Sequence, residues 1–185
     1  MKIRPLSVGI LLLSVVVGPS LAQRPSIERL APYVPSPQVV VERMLEAADV
    51  KPGETVYDLG CGDGRVVITA AREFKAKGVG VELSSDLVRQ ARDQASRLGL
   101  ANRVTILQGD LLEVDLKPAD VVTLYLLTES NDRLKPIFAK SLRPGARVVS
   151  HDFKIRGWKP VLVETVAVSS RLHTIYVYRM PPTKD

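Results

Sequence analysis

One stretch constrains this chain more than any other. Residues 55–59 form a short apolar run, and Gly60, Gly62 and Gly64 follow at alternate positions, giving VYDLGCGDGR over residues 56–65. A strand that stops at a glycine turn and gives way to a helical pattern is how open α/β sheets lay bare backbone against a ligand. Two carboxylates, Asp58 and Asp63, lie within the same ten residues, and that acidity is the first clue to what the ligand is.

The rest of the chain repeats the strand–helix alternation. Apolar runs suited to strands fall at residues 78–82, 104–107, 120–127 and 146–150, and helical spacing covers 66–74, 86–98 and about 131–142. Ser36-Pro37 reads as an N-cap and first helical residue ahead of Val40, Val41, Met44 and Leu45. Ser84 or Ser85 can cap the second of the later helices, and Gly99 stops it. Pro136 either kinks the last helix or marks a late start. Two final runs, 162–168 and 172–178, lack an intervening helix and read as an antiparallel pair on the sheet edge. Alternation of this kind predicts an α/β fold with a mostly parallel seven-stranded sheet, helices on both faces and a C-terminal antiparallel hairpin.

With 185 residues, the chain suits one domain. Its single cysteine, Cys61, excludes an intrachain disulfide and reads as a small residue in a tight loop. No Cys/His group has metal-ligand spacing, so no metal is expected. Residues 1–22 carry Lys2 and Arg4, an apolar run over 8–17, then Gly18-Pro19 and Ser20-Leu21-Ala22. That layout predicts a signal peptide cleaved after Ala22 or, as second choice, a membrane anchor through residues 6–22. Proline-rich residues 23–35 form an extended approach, and 36–185 the folded domain. The expectation is an exported or membrane-anchored protein. Without the leader, 24 basic side chains face 20 acidic ones, too mild and scattered an excess to predict specific nucleic-acid binding.

Ligands of such sheets bind outside the carboxyl ends of the strands. The residues there are Asp58 and its loop, Glu82, Asp110, 125–129 and His151-Asp152. A dinucleotide would set its pyrophosphate over the glycine loop, yet the spacing is G-x-G-x-G rather than G-x-G-x-x-G, and Asp58 and Asp63 would repel it. A ligand with an adenosine half and a positive centre suits the same backbone. S-adenosylmethionine fits: Asp58 and Asp63 favour its sulfonium and ammonium. Glu82 can accept from both ribose hydroxyls. Asp110 can accept from the adenine amino group, with Leu83 and Leu111 flanking the base. Gly60, Cys61, Gly62 and Gly64 supply the backbone that approaches it.

D-L-G-C-G-D-G, G-V-E-L and Q-G-D-L resemble the successive cofactor motifs of class I S-adenosylmethionine-dependent methyltransferases, which have a Rossmann-like sheet. Tyr33-Val34-Pro35-Ser36-Pro37, G-D-G-R, G-A-R-V-V-S and Trp158-x-Pro160 are similar to a small protein-lysine methyltransferase family whose animal members are membrane-anchored mitochondrial enzymes. The resemblance implies that Tyr33 lies over the cofactor and that the acceptor is a protein lysine, with a membrane protein a natural partner. Cys61, where that family often has Ser, and His151-Asp152 depart from its pattern.

Methyl transfer is an in-line displacement that mainly needs alignment and exclusion of water. The sequence offers Glu129 first for steering or deprotonating an amine, then His151 and Tyr125. His173 reads as structural. An Asn/Asp-Pro-Pro-Tyr/Phe-like segment is absent after the fourth strand, where Leu126-Leu127-Thr128-Glu129-Ser130 stands, so an amide-type nitrogen is not expected as acceptor. A small-molecule N- or O-methyltransferase and a non-catalytic module that binds the cofactor remain the alternatives.

Overall fold

A computed structural model describes residues 32–184. The expected leader and most of the approach segment lie outside the described residues. Strands β1 (Thr55–Leu59), β2 (Lys77–Glu82), β3 (Val104–Gln108), β4 (Val121–Leu124), β5 (Arg147–His151), β6 (Leu162–Val168) and β7 (Arg171–Arg179) alternate with helices α1 (Gln38–Ala47), α2 (Arg65–Glu73), α3 (Ser85–Arg97) and α4 (Thr128–Ser141). They form one seven-stranded sheet in the order β3-β2-β1-β4-β5-β7-β6. The first five strands pair in parallel, and β7 runs antiparallel to both β5 and β6.

The closing hairpin therefore corrects one expectation. Its second strand does not lie on the edge but inserts between β5 and β6, so His173 belongs to an interior strand. Burial explains the choice: β7 carries buried His173, Ile175, Val177 and Tyr178, whereas β6 has no buried position and takes the edge. Residues that need cover on both faces go inside.

The α1 and α2 side of the sheet buries Val40, Val41, Met44 and Leu45 against Val56, Val121, Val149 and Val177. Leu134 and Phe138 of α4 pack on the other face against Tyr57, Leu59, Val122 and Val148. Side chains of β1 thus alternate between the two layers, as the pleat requires. α3 joins α2 and β3 through Val88, Ala91 and Ala95. α4 begins earlier than its apolar spacing indicates and runs through Pro136. Among the described residues no helix is long and apolar enough to cross a membrane.

Candidate functional site

The parallel strands end on a common rim, and a cleft opens there between the loops. The wall includes Tyr33, Asp58, Gly60, Cys61, Gly62, Glu82, Leu83, Asp110, Leu111 and Tyr125. Of the cofactor residues read from sequence only Gly64 is outside that wall; it sits behind it at the start of α2 with φ 80°.

The loop between β1 and α2 turns by left-handed steps at Gly60, Gly62 and Gly64, which glycine adopts freely. At Gly62 there is also no room: a Cβ there would lie 2.4 Å from Tyr33 Cε2. The tyrosine ring is thus laid directly on the loop. Cys61 is a packing residue, its Sγ filling the space that a Cβ on Gly80 would need. Burial pushes its thiol far above the ordinary range, so it stays protonated and inert.

Three carboxylates have three different settings. Asp58 is buried, accepts 2.7 Å from Thr123 Oγ1, and is pushed up to about 7 by burial, with Asp63 and Glu82 adding to the effect. Glu82 is aimed by backbone: Oε2 accepts from Gly62 N–H (3.0 Å) and Oε1 from Ser84 N–H (2.8 Å). Each oxygen keeps a further lone pair for a ligand hydroxyl. Asp110 Oδ1 accepts from Leu112 N–H at 2.8 Å, which orients the loop after β3.

Asp63 departs from its expected role. Arg65 clamps it by Nε to Oδ1 (2.9 Å) and Nη2 to Oδ2 (2.6 Å). Burial opposes ionisation, yet the Arg65 bonds and charge hold its carboxyl below the usual range. Its charge is therefore spent on Arg65 rather than on a ligand cation. Arg65 Nη1 also donates to Ser36 O at 2.7 Å, tying the segment that carries Tyr33 to the loop.

Ser36 corrects a second expectation. Pro37 holds the N-cap position of α1, and no side chain caps that helix. The Ser36 hydroxyl is instead 2.9 Å from His151 Nδ1. His151 is fully buried, stacks on Tyr125 at 3.8 Å between centroids, and sets Nε2 2.8 Å from His173 Nδ1. A neutral His151 that donates to Ser36 and accepts from His173 satisfies both rings. Burial holds its imidazole well below the ordinary histidine range, against the pull of Asp152, so it stays neutral at physiological pH. With both nitrogens engaged it positions neighbours rather than taking a proton from a substrate.

Asp152 completes this group. Oδ2 lies 3.3 Å from both His173 Nδ1 and Tyr125 Oη and 3.0 Å from Arg171 Nη2, and Oδ1 accepts from Thr174 N–H at 2.8 Å. Burial works to raise its carboxyl, but Thr174 N–H, the two histidines and Arg171 outweigh it and hold it low. His151, Asp152 and His173 also bring three potential metal-ligand atoms within 4.8 Å of one another, a grouping that linear spacing does not reveal. Their ring nitrogens face each other and Ser36 rather than a shared centre.

Glu129, ranked first from sequence, is elsewhere. It stands in the first turn of α4 with its side chain 76% exposed, 3.2 Å from Arg156 Nη2, and is not part of the cleft wall. Sequence reading also missed Thr123, Arg65, Ser36 and Arg171 as members of the site. Only Arg65 had a local signal, in the G-D-G-R run; the others are assembled by folding.

Comparison with known proteins places this geometry among relatives. The model of the ANTKMT methyltransferase domain matches residues 58–162. A protein-lysine N-methyltransferase of Saccharolobus islandicus is 50% identical over 148 residues, covering 80% of this chain and 92% of the relative. The adenine nucleotide translocase lysine N-methyltransferase of Mus musculus is 36% identical over 132 residues, 71% of this chain but 57% of the relative. Among solved structures, an RNA methyltransferase from Salinibacter ruber in complex with S-adenosyl-L-homocysteine is 49% identical with a TM-score of 0.75, covering 80% of this chain and 94% of that one.

Proposed function

Because this chain belongs to the ANTKMT methyltransferase family and is an S-adenosylmethionine-dependent methyltransferase, we propose that it methylates lysine side chains of a protein. The observation that carries the acceptor class is the 50% identity to a protein-lysine N-methyltransferase across 92% of that relative. Bound S-adenosylmethionine supplies a methyl group on a positively charged sulfur.

Around it, each residue has a task that its setting supports. Gly60 and Gly62 admit the ligand against backbone, and Glu82 receives the ribose hydroxyls on lone pairs left over by Gly62 and Ser84. Asp110 receives the adenine amino group between Leu83 and Leu111. Tyr33, resting on Gly62 and tied through Asp63 and Arg65, covers the site from water. Asp58 gains full charge when a cationic ligand neutralises its buried position.

The lysine ammonium must lose one proton before attack. Desolvation beside the positive sulfur favours that loss, and the proton passes to bulk solvent before the site is covered. The amine lone pair then forms the N–C bond as the C–S pair returns to sulfur, leaving a neutral thioether and a methylated ammonium. We further propose that residues 1–22 direct the enzyme out of the cytoplasm or, left uncleaved, hold it at a membrane through residues 6–22.

Incubation of the full chain with methyl-labelled cofactor and a membrane lysate tests the reading. Label in ribonuclease-resistant protein, recovered as methyl-lysine and lost in Glu82→Ala and Asp58→Ala, is the expected outcome. Label in RNA, or only in small molecules, overturns the acceptor class. Fractionation with N-terminal mass determination tests the leader: a soluble chain with an intact N-terminus overturns membrane attachment.

A further inference from the structure

Beyond β4 and β5, the rim holds a pair of oxygens suited to a cation, and a side chain of the protein itself fills it. Arg171, the first residue of β7, sets Nη2 3.0 Å from Asp152 Oδ2 and 3.4 Å from Tyr125 Oη. Its side chain is 60% exposed, whereas that of Asp152 is 14% exposed. Asp152 does not depend on Arg171 for its place: Thr174 N–H holds Oδ1, and His173 and Tyr125 reach Oδ2. Its backbone adopts φ 60°, a left-handed conformation that a non-glycine residue keeps only when its surroundings impose it. Behind this pair lie His151 and His173, both buried, the former stacked on Tyr125.

A fold does not require such an arrangement. Buried polar groups of this kind are commonly replaceable by apolar ones at no loss of stability, and an exposed arginine on their rim adds little. Of this group Tyr125 alone lines the cleft wall, which it shares with Asp58 and Gly60; Asp152 and Arg171 stand just outside that wall, joined to it through the Tyr125 hydroxyl. Resting on the protein-lysine reading above, we propose that Tyr125 Oη and Asp152 Oδ2 are the seat of the acceptor ammonium, and that Arg171 is an internal stand-in which the incoming lysine displaces.

The donor and acceptor inventory fits. Tyr125 donates its hydroxyl proton to Asp152, which leaves its oxygen lone pairs to accept from a cation. An ammonium offers three donors, enough for both oxygens with one direction to spare. A neutral amide can donate to the carboxylate but lacks the charge attraction, and an anionic nucleophile is repelled, so the seat favours cationic amines. His151 and His173 act through Asp152 and Tyr125 as positioning residues. They also link the seat to Ser36 and hence to the segment over the cofactor.

The test uses the full chain saturated with S-adenosylhomocysteine and titrated with Nα-acetyl-lysine N-methylamide. The side-chain 15N signal of Arg171, assigned through Arg171→Lys, is expected to shift saturably toward its solvent-exposed position. The Nε-acetylated analogue, which has no charge, is expected to leave it in place. With poly-L-lysine as acceptor, Arg171→Ala should lower the acceptor KM about fivefold while kcat stays within about twofold, and Asp152→Asn should raise KM about tenfold or more. Cofactor affinity by calorimetry is expected to hold in both, and the thermal midpoint of Asp152→Asn reports whether it is folded. No shift with the lysine derivative, an equal shift with the acetylated one, or a raised KM in Arg171→Ala overturns the proposal. Failure of the wild-type protein to methylate poly-L-lysine would count against the protein-lysine reading, and the titration would still decide the seat.

Discussion

The two halves of the cleft are built in different ways. At the ends of β1, β2 and β3 each ligand-facing carboxylate comes from a short local word, and two of the three are aimed by backbone within a loop or two: Glu82 by Gly62 and Ser84, Asp110 by Leu112, while Asp58 is held across the sheet by Thr123. At the ends of β4, β5 and β7 the site is made of side chains from distant parts of the chain, with Ser36 meeting His151 across 115 positions and Tyr125 meeting Arg171 across 46. The first half suits a ligand that is always the same. The second can change its acceptor by substituting a few side chains, with no change to the loops.

The largest break in this comparison is expected where the halves touch. Gly62→Ala forces an alanine into a left-handed backbone and against the Tyr33 ring, so the covering segment must lift. We expect the dissociation constant for S-adenosylmethionine to rise more than about tenfold, measured by calorimetry. Gly62→Ala with Tyr33→Ala relieves the contact but not the strain, so it should bind better than Gly62→Ala alone. A double variant that binds worse would separate Tyr33 from the loop.

A second effect belongs to the cofactor half alone. Asp58 is pushed up to about 7 by burial, so the empty protein is partly protonated there near neutrality. A cationic ligand favours the ionised form, and binding must then expel the proton. Affinity is therefore expected to fall as pH drops below about 7, by at most about tenfold per unit. Asp58→Asn should bind weakly with that slope removed. The sign reverses for stability of the empty protein: the folded state keeps a proton that the unfolded chain has released, so this residue's contribution declines as pH rises from about 4 towards 7. An unchanged slope in Asp58→Asn would assign it to another group.

Legibility in the sequence follows the same division. Strand positions were readable as apolar runs, and the cofactor words sit where the first three give way to Gly60, Glu82 and Gly109-Asp110; β4 has no such stop and ends at Leu124, before its apolar run does at Leu127. Position in the sheet was not, since a hairpin pattern is the same whether its second strand takes an edge or slips inside; the burial of Ile175 and Tyr178 decides it. Ser36 precedes a proline and looks like a cap, yet its hydroxyl answers to His151, which only tertiary contact brings near. Asp63 reads as a ligand charge until Arg65, two residues on, is seen to fold back on it. Such pairings carry no periodicity, and residue type alone does not fix which charge meets which.

A smaller effect probes the link between the halves. Ser36→Ala leaves one His151 ring nitrogen buried without its partner, at about 1–3 kcal/mol. For a chain of this size that lowers the thermal midpoint by several degrees. Because the hydroxyl holds the covering segment to the acceptor side, kcat with poly-L-lysine should also fall a few-fold, and Ser36→Thr should restore it. A lower midpoint with unchanged kcat would make the bond purely structural.

The smallest effect is expected at the residue that sequence reasoning ranked first. Glu129 points to solvent and pairs with Arg156 across the surface, a contact worth well under about 1 kcal/mol. Asp132 already holds Arg156 through Nε at 2.7 Å, so the arginine keeps a partner without it. Glu129→Gln should therefore change kcat and acceptor KM by less than about twofold. A tenfold loss of kcat, with the cofactor still bound, would move the acceptor's path from Tyr125 and Asp152 to the first turn of α4. The two halves would then meet on a different side of the cleft.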